Sequence, residues 1–429
     1  MSPFAKLEQQ LSWLLPPLAF LASAAAQYAR RPDLFLRPQF FAEDGVFYQF
    51  AHNLGSLTTL FVQSNGYMQV LPRLVAAVAQ AVPLAWAPLL MLAAGVIVNA
   101  LPAAFVVSRR MGVAIPAISA RLLLSALYIA LPGANHAATI LTYSQWHFSL
   151  LALMILIAEP PRTRAGHAAD AGVLLVSGLS GPYSILLAPV ALVHWWLRPS
   201  VRAGLFTGLL LVTGTLQAIT ILTTGLTARS TAPRGASVFQ FLRVVGGRVV
   251  YGATAGHTLQ AAELPAWGSS IGSDWFIATA GAAGLAFLAL AFWRGTHELR
   301  VMLLYGAAIV GAVLITASAP VDGPPQWVVL GHQDALATYF IVPILCVYAS
   351  SVWMLCQAAW PWRAAGATVL GLALVFGIPR DWREDPLDDV NFPASVRAYE
   401  SAPAGATVVV PIAPAPWSID LVKPADGAQ

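Results

Sequence analysis

Long apolar runs separated by short polar connections fill the chain from Leu11 to Pro379. They show no sustained alternation of period two, so the pattern predicts helices and not barrel strands. Spans fall at about 11–27, 85–107, 117–132, 139–158, 170–181, 183–197, 203–224, 274–293, 301–319, 337–357 and 364–379, about eleven in all. The two pieces flanking Gly178-Leu179-Ser180-Gly181-Pro182 are short for straight crossings. They also suit a re-entrant hairpin, a form tolerated where protein or water surrounds the break. The first run follows a net-neutral stretch holding Lys6 and Glu8. It lacks a basic leader and a small-residue cleavage site, so it reads as a retained span and not a removed signal peptide. The expected fold is all-α: a polytopic transmembrane helix bundle over residues 1–379. Its first outer loop is large and bears interfacial helices, and a short outer tail covers 380–429.

Composition supports this pattern. Of 429 residues, 58% are hydrophobic and 10% are charged, against roughly 25% charged in soluble domains. The mean hydropathy is +0.69. The net charge of +4 comes mostly from arginines in short connections and is no nucleic-acid signature. Cys346 and Cys356 are ten residues apart in one apolar run, about 15 Å of helical rise, too far to pair. They read as two small buried apolar residues, and no Cys/His metal spacing occurs.

Arg109, Arg110, Arg162, Arg164, Arg198, Arg202, Arg294, Arg300 and Arg363 occupy connections that alternate to one side. The positive-inside rule makes that side cytoplasmic. Glu43, Asp44, Glu263, Asp322, Asp334 and the acidic stretch from Asp381 to Asp389 then lie outside. An odd span count puts the N-terminus inside and the C-terminus outside. Arg229, Arg234, Arg243 and Arg248 are outer-side exceptions in a long loop, which translocates largely regardless of charge. Outer loops at about 28–84 and 225–273, with the tail, are the long segments where function tends to concentrate. The spans themselves hold few ionisable groups.

The first outer loop contains Phe40-Phe41-Ala42-Glu43-Asp44-Gly45 and then Asn65-Gly66-Tyr67-Met68-Gln69-Val70-Leu71-Pro72-Arg73. Adjacent side chains diverge on either helix or strand, so at most one of the two carboxylates faces a reacting group. Asp44 suits a general base or a share in holding a divalent cation; it also suits a helix N-cap or solvated turn. Arg73 lies in an amphipathic segment fit for the interface plane. It can fork onto a lipid phosphate or simply snorkel. Arg243 and Arg248 can reach one phosphate-bearing head group, or serve only to attract anionic lipid. Tyr67, His136, Trp146, His147 and Asp334 are candidate substrate contacts. Trp146 can stack on a sugar ring or belong to the aromatic belt, the histidines have structural alternatives, and Asp334 is the weaker alternative to Asp44.

Taken together, these residues resemble the GT-C class of membrane glycosyltransferases, closest to uncharacterised bacterial polytopic members. Phe40 to Gly45 matches the position of the class's acidic motif, and Asn65 to Arg73 is similar to the interfacial helix that follows it. A break like Gly181 to Ser184 and a tail ending like Val408 to Trp417 also occur in that group. The resemblance covers most of the chain as topology and only short motifs as sequence. It implies a multi-pass protein of the bacterial inner (cytoplasmic) membrane that moves a sugar from a polyprenyl-phosphate carrier to an outer-face glycan, lipid or protein acceptor. It implies inverting transfer with Asp44 as base, Glu43 secondary, arginine on the leaving phosphate, and a divalent cation allowed but not required. Relatives often carry an arginine before the tyrosine that opens a late span. Ala337-Thr338-Tyr339 has none, so Arg73, Arg243 or Arg248 would take that contact. A transporter or flippase of lipid-linked sugars is the first competing reading; it would need neither carboxylate and would favour inverted repeats, which are not evident. A non-catalytic accessory subunit is the second.

Overall fold

The computed structural model describes residues 13–63, 66–133, 139–224, 231–256, 271–316, 323–331 and 337–424, the side chains of 61 and 271–273 excepted. Helices occupy all eleven segments expected to span. They are α1 (Leu15–Arg30), α5 (Ala87–Val106), α6 (Ile118–Ile129), α7 (Ser144–Ile157), α8 (Arg164–Gly178), α9 (Tyr183–Leu197), α10 (Val201–Thr224), α12 (Ile271–Arg294), α13 (His297–Ile315), α15 (Ile341–Leu355) and α16 (Trp360–Leu372). Six helical stretches among the described residues are long and apolar enough to cross a bilayer: Leu84–Val106, Val201–Thr224, Asp274–Arg294, His297–Ile315, Ala337–Leu355 and Trp360–Arg380. The chain is therefore a mostly helical, multi-pass membrane protein in composition and build.

The arginine-rich connections meet at one end of the bundle. Asp170, buried in the first turns of α8, accepts from Arg110 at 2.8 and 2.6 Å and from Arg202 at 3.2 Å. Arg198 pairs with Glu298. These bonds involve four polar connections, so their gathering at one end is a structural fact as well as a charge pattern.

At the other end the first long loop folds into α2 (Pro32–Leu36), α3 (Glu43–Leu54) and α4 (Val70–Ala79). The C-terminal residues are not a free tail. Helix α17 (Phe392–Ser401) precedes an antiparallel hairpin of β1 (Thr407–Pro411) and β2 (Ser418–Val422), with Val409 opposite Asp420. This small sheet is the one departure from an all-α expectation. Phe47, Tyr48 and Ala51 of α3, Ala76 and Ala79 of α4, and Phe392, Val410, Ile412, Ile419 and Leu421 share a single apolar core. Burial of that core couples the first loop to the last residues of the chain. Polar buckles reinforce it: Asn53 donates to Asp420 O at 2.7 Å, and Arg31 bridges Asp33 and Glu384 at 2.9 and 3.2 Å.

Two other expectations change. The second outer segment is no plain loop: α11 (Val238–Val244) runs on as a wide π-turn over Val245–Tyr251 and a last turn over Gly252–Thr254. Val244, Val245, Val249 and Ala253 are buried in the bundle core. Cys346 is buried as expected, whereas Cys356 is exposed at the end of α15.

Candidate functional site

Asp44 stands in the first turn of α3, just after a tight turn. Ala42 holds φ 42°, a conformation uncommon for a residue with a side chain. Its N–H donates to Ala413 O at 2.5 Å, and Ala413 N–H donates to Phe40 O at 3.0 Å. The turn sends Asp44 inward and leaves Glu43 half-exposed. Asp44 Oδ1 accepts from Thr142 N at 2.9 Å and also from the Thr142 hydroxyl. Thr142 lies in the short turn Leu141–Tyr143 that leads into α7. The carboxylate borders a cavity of about 20 Å³, the room of a single water, with Leu34, Gln39, Phe41, Met91 and Ile140 around it. Burial pushes the Asp44 carboxyl up to about 7; the Thr142 hydroxyl and backbone N–H oppose that shift, and the Glu43 charge adds to it.

Beyond Thr142 the chain enters an aromatic cluster. Tyr143 touches Phe41 at 6.2 Å between ring centroids and Trp146 at 5.6 Å. Trp146 meets Tyr183 edge-on at 5.8 Å and Tyr339 at 5.3 Å. Trp146 Nε1 and the neighbouring Gln145 Oε1 are buried without a hydrogen-bond partner. A donor and an acceptor left unpaired beside aromatic faces can receive hydroxyl groups of a ligand. Tyr67 precedes Met68, whose carbonyl accepts from the Gly181 N–H two residues before Tyr183.

The break between α8 and α9 forms the floor beneath Tyr67. The outer strand-like residues 68–70 reach down to it: Gly181 N–H donates to Met68 O at 2.9 Å and Val70 N–H to Leu179 O at 3.1 Å. Gln217 of α10 seals the junction, accepting from Met68 N at 2.9 Å and donating to Met68 O at 3.1 Å. Broken backbone at this depth thus has protein partners, as the bilayer requires. Gly181 takes φ 104°, and a methyl there would meet Gln145 Oε1 at 2.1 Å.

The three arginines occupy separate settings. Arg73 is fully buried within the protein. It donates to Thr59 O at 3.0 Å and lies 4.8 and 5.5 Å from the rings of Phe47 and Phe50. Its Nε and Nη2 lack partners. Burial lowers its pKa to about 10, so it stays charged at neutral pH. Arg243 is occupied by Gln240 at 2.9 Å and Asp274 at 3.0 Å. Arg248 stacks 4.8 Å over Phe340, next in sequence to the Tyr339 that touches Trp146.

Of the remaining expected contacts, His147 faces away from this cluster. Its Nδ1 bonds the Tyr128 hydroxyl at 2.6 Å, and that hydroxyl donates to Asn99 O at 2.7 Å, a buried interhelical tie. His136 and Asp334 lie outside the described residues. Sequence reasoning passed over Thr142, Gln145, Tyr183 and Gln217. The signal available was a run of polar residues, Thr142 to Gln145, opening an otherwise apolar span. Among the described residues no three His, Cys, Asp or Glu side chains group as metal ligands.

No protein-family model matches the chain, and no curated protein matches it significantly.

Proposed function

We propose that the chain is an inverting membrane glycosyltransferase that takes its sugar from a polyprenyl-phosphate carrier and delivers it to an outer-face acceptor. The observation that carries this reading is Asp44: a buried carboxyl at about 7, held by one oxygen on Thr142 and joined through Tyr143 to the Trp146 cluster. A base titrating near the operating pH is best matched to its task. Asp44 takes the acceptor hydroxyl proton as that oxygen attacks the anomeric carbon. The bond from that carbon to the phosphate oxygen breaks, and the lipid phosphate leaves with the electron pair. The leaving charge needs a cation. We assign this to Arg248, which stacks on Phe340 beside the Tyr339 of the Trp146 cluster. Tyr67 and Trp146 border the sugar, and Glu43 is secondary.

The membrane proposed is the bacterial cytoplasmic membrane, crossed about eleven times, with the Asp170 end inside and Asp44 and the hairpin outside. The test is transfer by purified protein in liposomes holding polyprenyl-phosphate sugars. Asp44→Asn should lower transfer by about 10²–10⁴-fold and leave carrier binding nearly intact; Glu43→Gln should cost less. Near-normal transfer by a folded Asp44→Asn protein would sink the assignment. Arg248→Ala should weaken retention of a polyprenyl-phosphate analogue more than Arg73→Ala.

A further inference from the structure

We infer that the C-terminal hairpin segment Ile412–Ala413 is a positioning element for the Asp44 carboxylate, so that the last residues of the chain set the protonation of the site. The proposal concerns the same carboxylate as the proposed transfer, yet its titration does not depend on transfer occurring.

Three observations converge on this contact. Phe41 and Ala413 form an isolated parallel bridge, and Ala413 uses both its N–H and its carbonyl on the turn that precedes Asp44, to Phe40 O and from Ala42 N. A non-glycine residue at φ 42° costs energy and persists where its surroundings over-determine it; here the surroundings are Ala413. Second, Ile412 is fully buried against Gly45. A methyl on Gly45 would lie 2.7 Å from Ile412 Cδ1 and 3.2 Å from Phe40 Cβ. Gly45 is therefore a seat for the tail, not a flexible link beside the base. Third, Ile412 and Ile419 share one core with Phe40, Phe47 and Tyr48, so the hairpin and the helix bearing Asp44 are packed together.

The groups facing Asp44 are few. Glu43 on its own helix is the charged one, Gln39 and Thr142 are polar and neutral, and α5 presents Pro88, Met91 and Leu92. The tail touches the turn before Asp44 and Gly45 after it, through Ala413 and Ile412, and does not line the cavity beside the carboxylate. Its influence is therefore fixing of the turn, not charge. Loosening the hairpin should hydrate Asp44 and return its titration toward the ordinary carboxylate range.

The test is infrared titration of the Asp44 carboxyl in full-length protein in detergent, assigned by difference from Asp44→Asn. Gly45→Ala should lower the midpoint by about one pH unit or more, tenfold in acid dissociation. Adding Ile412→Val, which removes the Cδ1 that the new methyl meets, should restore the midpoint. Ile412→Ala, with Gly45 kept, should lower it independently and serves if Gly45→Ala does not fold. An unchanged midpoint in Gly45→Ala and Ile412→Ala overturns the proposal, as does a shift in Gly45→Ala that Ile412→Val fails to reverse. Absence of transfer in the wild type, with these shifts present, would instead remove the transferase reading alone.

Discussion

At the scale of the residue, the chemistry turns on how Thr142 and burial divide control of Asp44. Burial favours the neutral acid, while two donations from Thr142 favour the ionised base. Thr142→Val removes the hydroxyl and keeps the shape, so the carboxyl should titrate higher still. A hydrogen bond to a charged group is worth roughly 1.5–3 kcal/mol, or about one to two pH units. The rising limb of transfer against pH, expected near 7 in the wild type, should move up by that amount. A limb unmoved by Thr142→Val would mean that Asp44 does not generate it. The same shift has a stability counterpart of fixed sign. The folded value lies above the roughly 3.9 of an unfolded aspartate, so the folded state binds the proton more tightly. Its contribution is fully present below pH 4 and is lost as pH rises through about 7. Thermal midpoints in detergent should fall over that window in the wild type and fall less in Asp44→Asn.

At the scale of the element, the long apolar helices were legible because a bilayer demands runs of about 20 apolar residues and leaves no other signal so strong. Each expected span carries a helix, with ends displaced by a few residues. The break at Gly178 to Pro182 was legible too, though not its partners. Leu71 donates its N–H to Ser180 Oγ from 109 residues away and Gln217 donates to Gly178 O from 39 residues away, and pairing at such distance leaves no local pattern. The surroundings of Arg73 were hidden for a related reason. Phe47 and Phe50 from another helix cover that arginine, and nothing in its own amphipathic segment announces them. The hairpin docking on α3 was equally hidden, since the apolar run Val408 to Val410 shows no alternation and does not tell what it seals. Gly181 tests the break itself. Gly181→Ala forces a side chain to φ 104° and onto Gln145 Oε1, which should cost about 1–3 kcal/mol and lower the thermal midpoint. Gly172→Ala, in α8 with open space around its added methyl, should leave the midpoint level or raise it slightly.

At the scale of the whole molecule, two polar ends face opposite ways across an apolar middle. One end gathers Arg110, Arg198 and Arg202 around Asp170 and Glu298. The other gathers Asp44, the Arg31 bridges to Asp33 and Glu384, and the hairpin. The positive-inside rule underlies the proposed cytoplasmic placement of the arginine end, and the proposed chemistry requires the Asp44 end outside, where the proposed acceptor lies. The chain carries its own reporter for this. It has two cysteines; Cys346 is buried, and Cys356 is exposed where α15 ends, ahead of Arg363. A membrane-impermeant maleimide should therefore label Cys356 in inverted vesicles or permeabilised cells and not in intact spheroplasts, with Cys356→Ser abolishing the signal. Asp389→Cys, placed in the Cys356→Ser background at a half-exposed position of the tail, should label in intact spheroplasts. Labelling of Cys356 from outside would invert the topology and move Asp44 to the cytoplasmic face. It would also leave an outer-face acceptor without access to the base, so this single reagent bears on the orientation and on the class of acceptor together.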